Sequence, residues 1–190
     1  MVILLDGIFG IGKTSVINEI EKQYCGKHNL IMLESDYFFQ KYLHREVNKA
    51  RKEHRIAATG GMLPQNNIEF LKEYRNIILK KSKDCIVISD MSLTMPECKV
   101  IIHDFLENNS SYLIHVILEA DKELIKKRIR QDENQQRDKK LALDTMDEFS
   151  DFLNKNYENA IRITTDNKNV EEVAKEILEI IDDYILENNL

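Results

Sequence analysis

Apolar residues in this chain fall into short continuous runs that alternate with stretches of helical spacing. Residues 2–6 (VILLD) form the first run, and Val16, Ile17 and Ile20 then recur at helical spacing within 13–24. Residues 30–33 read as a second strand, ending in Glu34-Ser35-Asp36. The stretch 37–58 is helical but unusually polar, and 59–64 (TGGMLP) is the clearest break in the chain. A helix over 67–81 is expected to offer Ile68, Leu71, Ile77 and Ile78 as its apolar face. CIVIS at 85–89 reads as a buried strand ending at Asp90, and Pro96 suits the first turn of a helix reaching Leu106. Residues 112–118 read as a strand, and Asp121 caps a helix to about Gln131. The polar stretch 133–140 is expected to be a loop or lid. A helix over 146–157, a strand over 160–164 and an amphipathic helix over 170–186 complete the pattern. That last helix sets Val173, Ala174, Ile177, Ile181 and Ile185 on one side.

Five strands separated by helices predict a three-layer α/β fold: a five-stranded parallel sheet with helices on both faces, since each parallel connection needs a crossover. No repeat or linker interrupts the pattern, and 190 residues are too few for two ordinary domains, so 1–190 reads as one domain. Hydrophobic residues at 43% and charged residues at 32% suit a soluble globular chain. The net charge of −6 argues against a duplex-DNA binder. No apolar run approaches a membrane span. Cys25, Cys85 and Cys98 are odd in number and widely spaced, which fits a reducing cytoplasm better than a disulfide framework or a zinc site.

In such sheets ligands bind beyond the carboxyl ends of the strands. The first of these ends is decisive. Residues 7–14 (GIFGIGKT) match G-x-x-x-x-G-K-[ST] and lie between a strand and a helix, the context the motif needs. By chance the pattern arises in on the order of one per cent of chains this long. Backbone N–H groups from Gly7, Ile8, Phe9, Gly10, Ile11, Gly12, Lys13, Thr14 and Ser15 are expected to cradle nucleotide phosphates at the helix N-terminus. Lys13 reaches the β- and γ-phosphates, and the Thr14 hydroxyl ligates Mg²⁺. An N-K-x-D guanine reader is lacking, because Asn167-Lys168-Asn169 is followed by Val170, so ATP is the expected nucleotide. Asp90-Met91-Ser92-Leu93 lacks the glycine of a GTPase switch, and Met91 stands where large motor ATPases carry Glu. The compact kinase-like class remains, with an acceptor side at about 36–66 and a short lid at about 128–145.

Three further groups complete the candidate chemistry. Asp36, at the end of the second strand, is placed to act as base toward an acceptor hydroxyl; its plainer role is to cap a helix starting at Tyr37. Glu34 shares its face and is in position to tune it. Asp90 ends the strand expected beside the P-loop, the station of an acid that holds Mg²⁺ through water. In the lid, Arg128 is the arginine expected to meet phosphate charge, ahead of Arg130 and Arg137, while Lys126, Lys127, Lys139 and Lys140 read as a solvated face. The stretch 41–55 carries six Lys or Arg against two Glu and reads as a solvated helix or an anionic-acceptor wall.

GIFGIGKT, SDMSLTMPE at 89–97, KELIKKRIR at 122–130 and ITTDNKNVEEVAKEI at 163–177, taken in order, resemble the tunicamycin-resistance ATP-binding proteins of bacteria. The resemblance runs nearly the full length and thins over 37–64. It implies a nucleoside/nucleotide-kinase-like P-loop fold, ATP binding and an acceptor similar to a nucleoside–sugar compound. It also sets Arg128 on the family's lid arginine and Asp166-Asn167 near the adenine. Three functions stay open: a phosphotransferase using Mg·ATP on a small molecule, a protein that sequesters a ligand with ATP, and a nucleic-acid end kinase. Overall acidity and the lack of an aromatic stacking platform weigh against the last.

Overall fold

The computed structural model describes residues 1–26, 28–54, 63–133 and 138–189, and in it the first strand, β1 (Val2–Asp6), is buried along its whole length. A strand with no polar alternation is one covered on both faces, and β1 lies at the centre of the sheet. Helix α1 (Lys13–Gln23) follows, then β2 (Leu30–Leu33), α2 (Ser35–Lys52), a 3₁₀ turn (Pro64–Asn66), α3 (Ile68–Lys81) and β3 (Ile86–Ser89). Helix α4 (Pro96–Cys98) runs through a π-helical stretch (Lys99–Asp104) into α5 (Phe105–Asn109) and β4 (Leu113–Glu119). The chain closes with α6 (Lys122–Gln131), α7 (Lys139–Asp144), α8 (Met146–Asn156), β5 (Ile161–Thr164) and α9 (Val170–Glu187).

All neighbouring strands are parallel, in the order β2-β3-β1-β4-β5, as the alternating pattern predicts. Ile3 pairs with Ile88 on one side and Ile114 on the other. Right-handed crossovers send α1 to one face and α2 and α3 to the other. Accordingly α1 packs on α9, and α3 packs on the π-helical stretch. The expected face of α1 (Val16, Ile17, Ile20) is buried, and so is that of α9 at Val173, Ala174, Ile177 and Ile181, whereas Ile185 near its end is half-buried.

Three expectations need correction. Helix α2 starts at Ser35 rather than Tyr37, because the chain turns helical directly after β2. In α3 the buried face is Phe70, Leu71, Tyr74 and Ile78, whereas Ile68 is 46% exposed. Aromatic packing decides that rotation: Phe70 lies edge-on to Phe39, with ring centroids 5.0 Å apart, and against Tyr42 at 5.7 Å. The Tyr74 hydroxyl donates to the Leu33 carbonyl and bonds Ser89 Oγ at 2.9 Å, tying the carboxyl ends of β2 and β3 together. Finally, the end of the polar stretch 133–140 is helical, because Asp138 caps α7 by accepting the Leu141 N–H at 2.9 Å. The break at 59–64 and Arg137 fall wholly or partly outside the described residues.

Candidate functional site

The sheet ends converge on a cavity of about 730 Å³. Its floor is the loop between β1 and α1, and that loop is braced from below. Asp6 is wholly buried, and its carboxylate accepts the N–H of Gly7 at 2.6 Å and of Leu93 at 3.0 Å while pairing with His115 Nε2 at 3.2 Å. Gly7 has φ +140°, and a Cβ there would sit 2.9 Å from the Leu118 carbonyl oxygen, so glycine is required. Gly12, at φ +109°, turns the chain into α1 with no side chain over the first-turn amides.

Phe9, Gly10, Ile11 and Gly12 line the cavity, as do Lys13, Thr14 and Ser15. Gly7 and Ile8 do not line it; their carbonyls accept from Lys13 Nζ at 2.6 and 3.3 Å, and Ser92 Oγ also donates to the Gly7 carbonyl at 3.0 Å. The lysine is therefore held over the loop it serves.

Asp90 and Asp36 line the same cavity. Asp90 is 9% exposed, and its Oδ1 accepts the Ser35 N–H at 2.9 Å. Burial raises the Asp90 carboxyl above its usual range, while the Ser35 N–H and the nearby Lys13 charge pull it back down. Glu34 is also raised, by burial first and then by Asp90 and Asp36, so three carboxylates crowd the end of β2. Asp36 sits exposed in the first turn of α2, and the N-cap position belongs to Glu34, which makes no side-chain cap bond. Thr14 and Asp90 line the cavity with oxygen atoms alone, the donor type of a hard cation such as Mg²⁺.

Arg128 closes the opposite wall. Its guanidinium donates to the Ile11 carbonyl at 3.3 Å, to Thr165 Oγ1 at 3.1 Å and to the Thr165 carbonyl at 3.3 Å, joining α6, the P-loop and the end of β5. Arg130 is exposed and does not line the cavity. Lys139, read from the sequence as solvated, lines it and donates to the Arg130 carbonyl at 3.1 Å. Past β5 the lining residues are Thr165, Lys168, Asn169, Val170 and Val173; Asp166 instead accepts the Asp121 N–H at 2.6 Å, and Asn167 is exposed. Sequence reasoning also missed Asp6, whose only signal was its place before the first glycine, and Gln65, which had none.

A parallel sheet of this order with a glycine loop opening the helix after its central strand defines a three-layer α/β P-loop fold. No protein-family model matches the chain, and no curated protein matches it. Among solved structures it is similar to the tunicamycin resistance protein of Deinococcus radiodurans, with TM-score 0.69 and 17% identity over 95% of this chain and 94% of that one. It is also similar to shikimate kinase of Aquifex aeolicus, with TM-score 0.60 and 20% identity over 98% and 99% of the two chains. APS kinase of Mycobacterium tuberculosis, solved with AMPPNP and APS, gives TM-score 0.60 and 14% identity over 95% and 96%. At these identities the likeness establishes the fold, the three-layer arrangement of P-loop kinases. Among the described residues no helix is long and apolar enough to cross a membrane.

Proposed function

We propose that this chain is a phosphotransferase that uses Mg·ATP to phosphorylate a hydroxyl of a small molecule. The observation that carries the reading is that Asp36 and Asp90 line one cavity with the P-loop residues 9–15. Loop amides and Lys13 hold the triphosphate, and Arg128 closes on its charge from the lid side. Thr14 and Asp90 would hold Mg²⁺, which would neutralise charge on the phosphate oxygens. Asp36 orients the acceptor hydroxyl and takes its proton as the phosphoryl group leaves ATP. The solved kinases that share the fold support the reaction class. Val170, where a guanine reader would need a carboxylate, supports ATP over GTP. The three free cysteines suit a reducing, cytoplasmic setting.

Similarity to a tunicamycin resistance protein supports including nucleoside-like antibiotics among the acceptors tried. It also keeps the sequestration reading in play, in which ATP supports ligand binding without transfer. Transfer from labelled ATP to a panel of nucleosides, sugars and antibiotics tests the proposal. The parent is expected to phosphorylate at least one, and Lys13→Ala to lose ATP binding or turnover while its nucleotide-free melting temperature changes little. Turnover that survives Lys13→Ala contradicts the site.

A further inference from the structure

Backbone pairing holds β1 unequally on its two sides. Toward β4 the ladder runs to Asp6–Ile117, whereas toward β3 it stops at Leu4–Ser89. The sheet therefore opens at its carboxyl end, between the strand that leads into the P-loop and the strand that leads to Asp90.

Side chains close that opening. Asp6 Oδ1 accepts the Leu93 N–H at 3.0 Å as well as the Gly7 N–H at 2.6 Å, and Ser92 Oγ donates to the Gly7 carbonyl at 3.0 Å. Lys13 Nζ donates to that same carbonyl at 2.6 Å. The bonds from Leu93 and Ser92 latch residues 92–93 to residues 6–7, and the latch sets where Lys13 and Asp90 stand relative to each other.

His115 steadies the latch from β4. Its Nε2 pairs with Asp6 Oδ2 at 3.2 Å, and its buried Nδ1 has no partner, so the ring's hydrogen bonding is directed at Asp6. The rings of His103 and Tyr157 lie 5.1 and 4.6 Å from it, and the Tyr157 hydroxyl donates to the Leu93 carbonyl at 3.0 Å. Ring packing alone could be met by phenylalanine, and a buried strand of Val, Ile and Leu needs no acid at its end. A wholly buried carboxylate is costly unless its oxygens are paired, and both oxygens of Asp6 are spent on this arrangement.

We infer that His115 is a positioning residue: by fixing the Asp6 carboxylate it holds the P-loop and the Asp90 segment in the arrangement that binds Mg²⁺ and nucleotide phosphates together. Only the part of Mg²⁺ in this inference rests on the phosphotransferase reading.

The probe is AMPPNP, titrated calorimetrically into parent and variants once with Mg²⁺ and once with EDTA; the ratio of the two affinities is the gain from Mg²⁺. His115→Phe keeps a ring between His103 and Tyr157 but no group to pair with Asp6, and should lower that gain by about tenfold or more. Ser92→Ala removes a single hydroxyl of the latch, should also lower the gain, and carries the test if His115→Phe does not fold. His115→Gln, whose amide nitrogen can take the place of Nε2, should retain most of it. Ile78→Val, in the buried face of α3 and not lining the cavity, serves as the stability control: its melting temperature should fall and its gain should equal the parent's. A parent with the gain whose His115→Phe and Ser92→Ala variants keep it in full overturns the inference alone, as does an equal loss of gain in Ile78→Val. A parent that gains nothing from Mg²⁺ overturns the inference and the phosphotransferase reading together. A gain that depends on His115, with no transfer to any acceptor, leaves the inference standing and removes that reading.

Discussion

Asp90 Oδ1 accepts the Ser35 N–H at 2.9 Å, so the carboxylate that ends β3 also fastens the first turn of the helix that carries Asp36. One buried acid thereby links the metal side of the cavity to the acceptor side. Asp90→Asn keeps an oxygen for Ser35 and removes a charge that burial disfavours. Its nucleotide-free stability should equal or exceed the parent's, while the Mg²⁺ dependence of nucleotide binding is lost. Asp90→Ala also leaves the Ser35 N–H unpaired and should be less stable than Asp90→Asn by about 1–3 kcal/mol. Thermal melts and Mg²⁺ titrations of both variants check this.

The pH dependence follows from the direction of the Asp90 shift. An acid whose folded value lies above its unfolded one binds the proton more tightly when folded, so stability is lost as pH rises from the ordinary carboxylate value through the raised one. The stability gained by Asp90→Asn over the parent should therefore grow as pH rises through the carboxylate range and level off above it. A gap that is constant with pH would mean that Asp90 does not titrate in this way.

Much of the site was legible in the sequence because its chemistry demands residue types at fixed spacing. Gly7 and Gly12 are forced by positive φ, and Lys13 and Thr14 follow them at the motif's fixed spacing and line the cavity. What was not legible is held by contacts between distant positions. The Asp6–His115 pair spans β1 and β4, and an aspartate at a strand end looks the same whether it braces a loop or faces water. The face of α3 was misjudged because aliphatic spacing favoured Ile68, whereas Phe39 and Tyr42 of α2 draw in Phe70. Lys139 was assigned to solvent because a run of lysines says nothing of which one an adjacent short helix turns inward.

Arg128 joins three elements around the cavity through neutral acceptors, so removing it should act on binding and stability together. Arg128→Ala is expected to lower nucleotide-free stability by about 1–2 kcal/mol and to weaken ATP binding. Arg128→Lys keeps the charge without the planar fork and should recover only part of each. Melting curves and ATP titrations on the pair provide the measurement, and wild-type ATP affinity in Arg128→Ala would remove this residue from the nucleotide site.

Base preference depends on the segment after β5. Asn169 spends its side-chain oxygen on the Glu172 N–H at 2.8 Å as the cap of α9, and the positions that follow along the cavity wall are Val170 and Val173. No carboxylate among the described lining residues of this segment pairs with guanine, so ATP should raise the melting temperature more than GTP at equal concentration. Equal shifts would contradict the assignment.

The central claim is that Asp36 acts on the acceptor while the P-loop holds the nucleotide. Its most direct test is the rate of phosphate transfer by Asp36→Asn, measured beside the parent with the best acceptor from the panel and with ATP affinity determined on the same preparations. Asparagine keeps the shape and loses the base, so transfer should fall by a factor of roughly 10²–10⁴ with ATP affinity nearly unchanged. A transfer rate equal to the parent's would contradict the account and leave Asp36 as an exposed first-turn residue of α2.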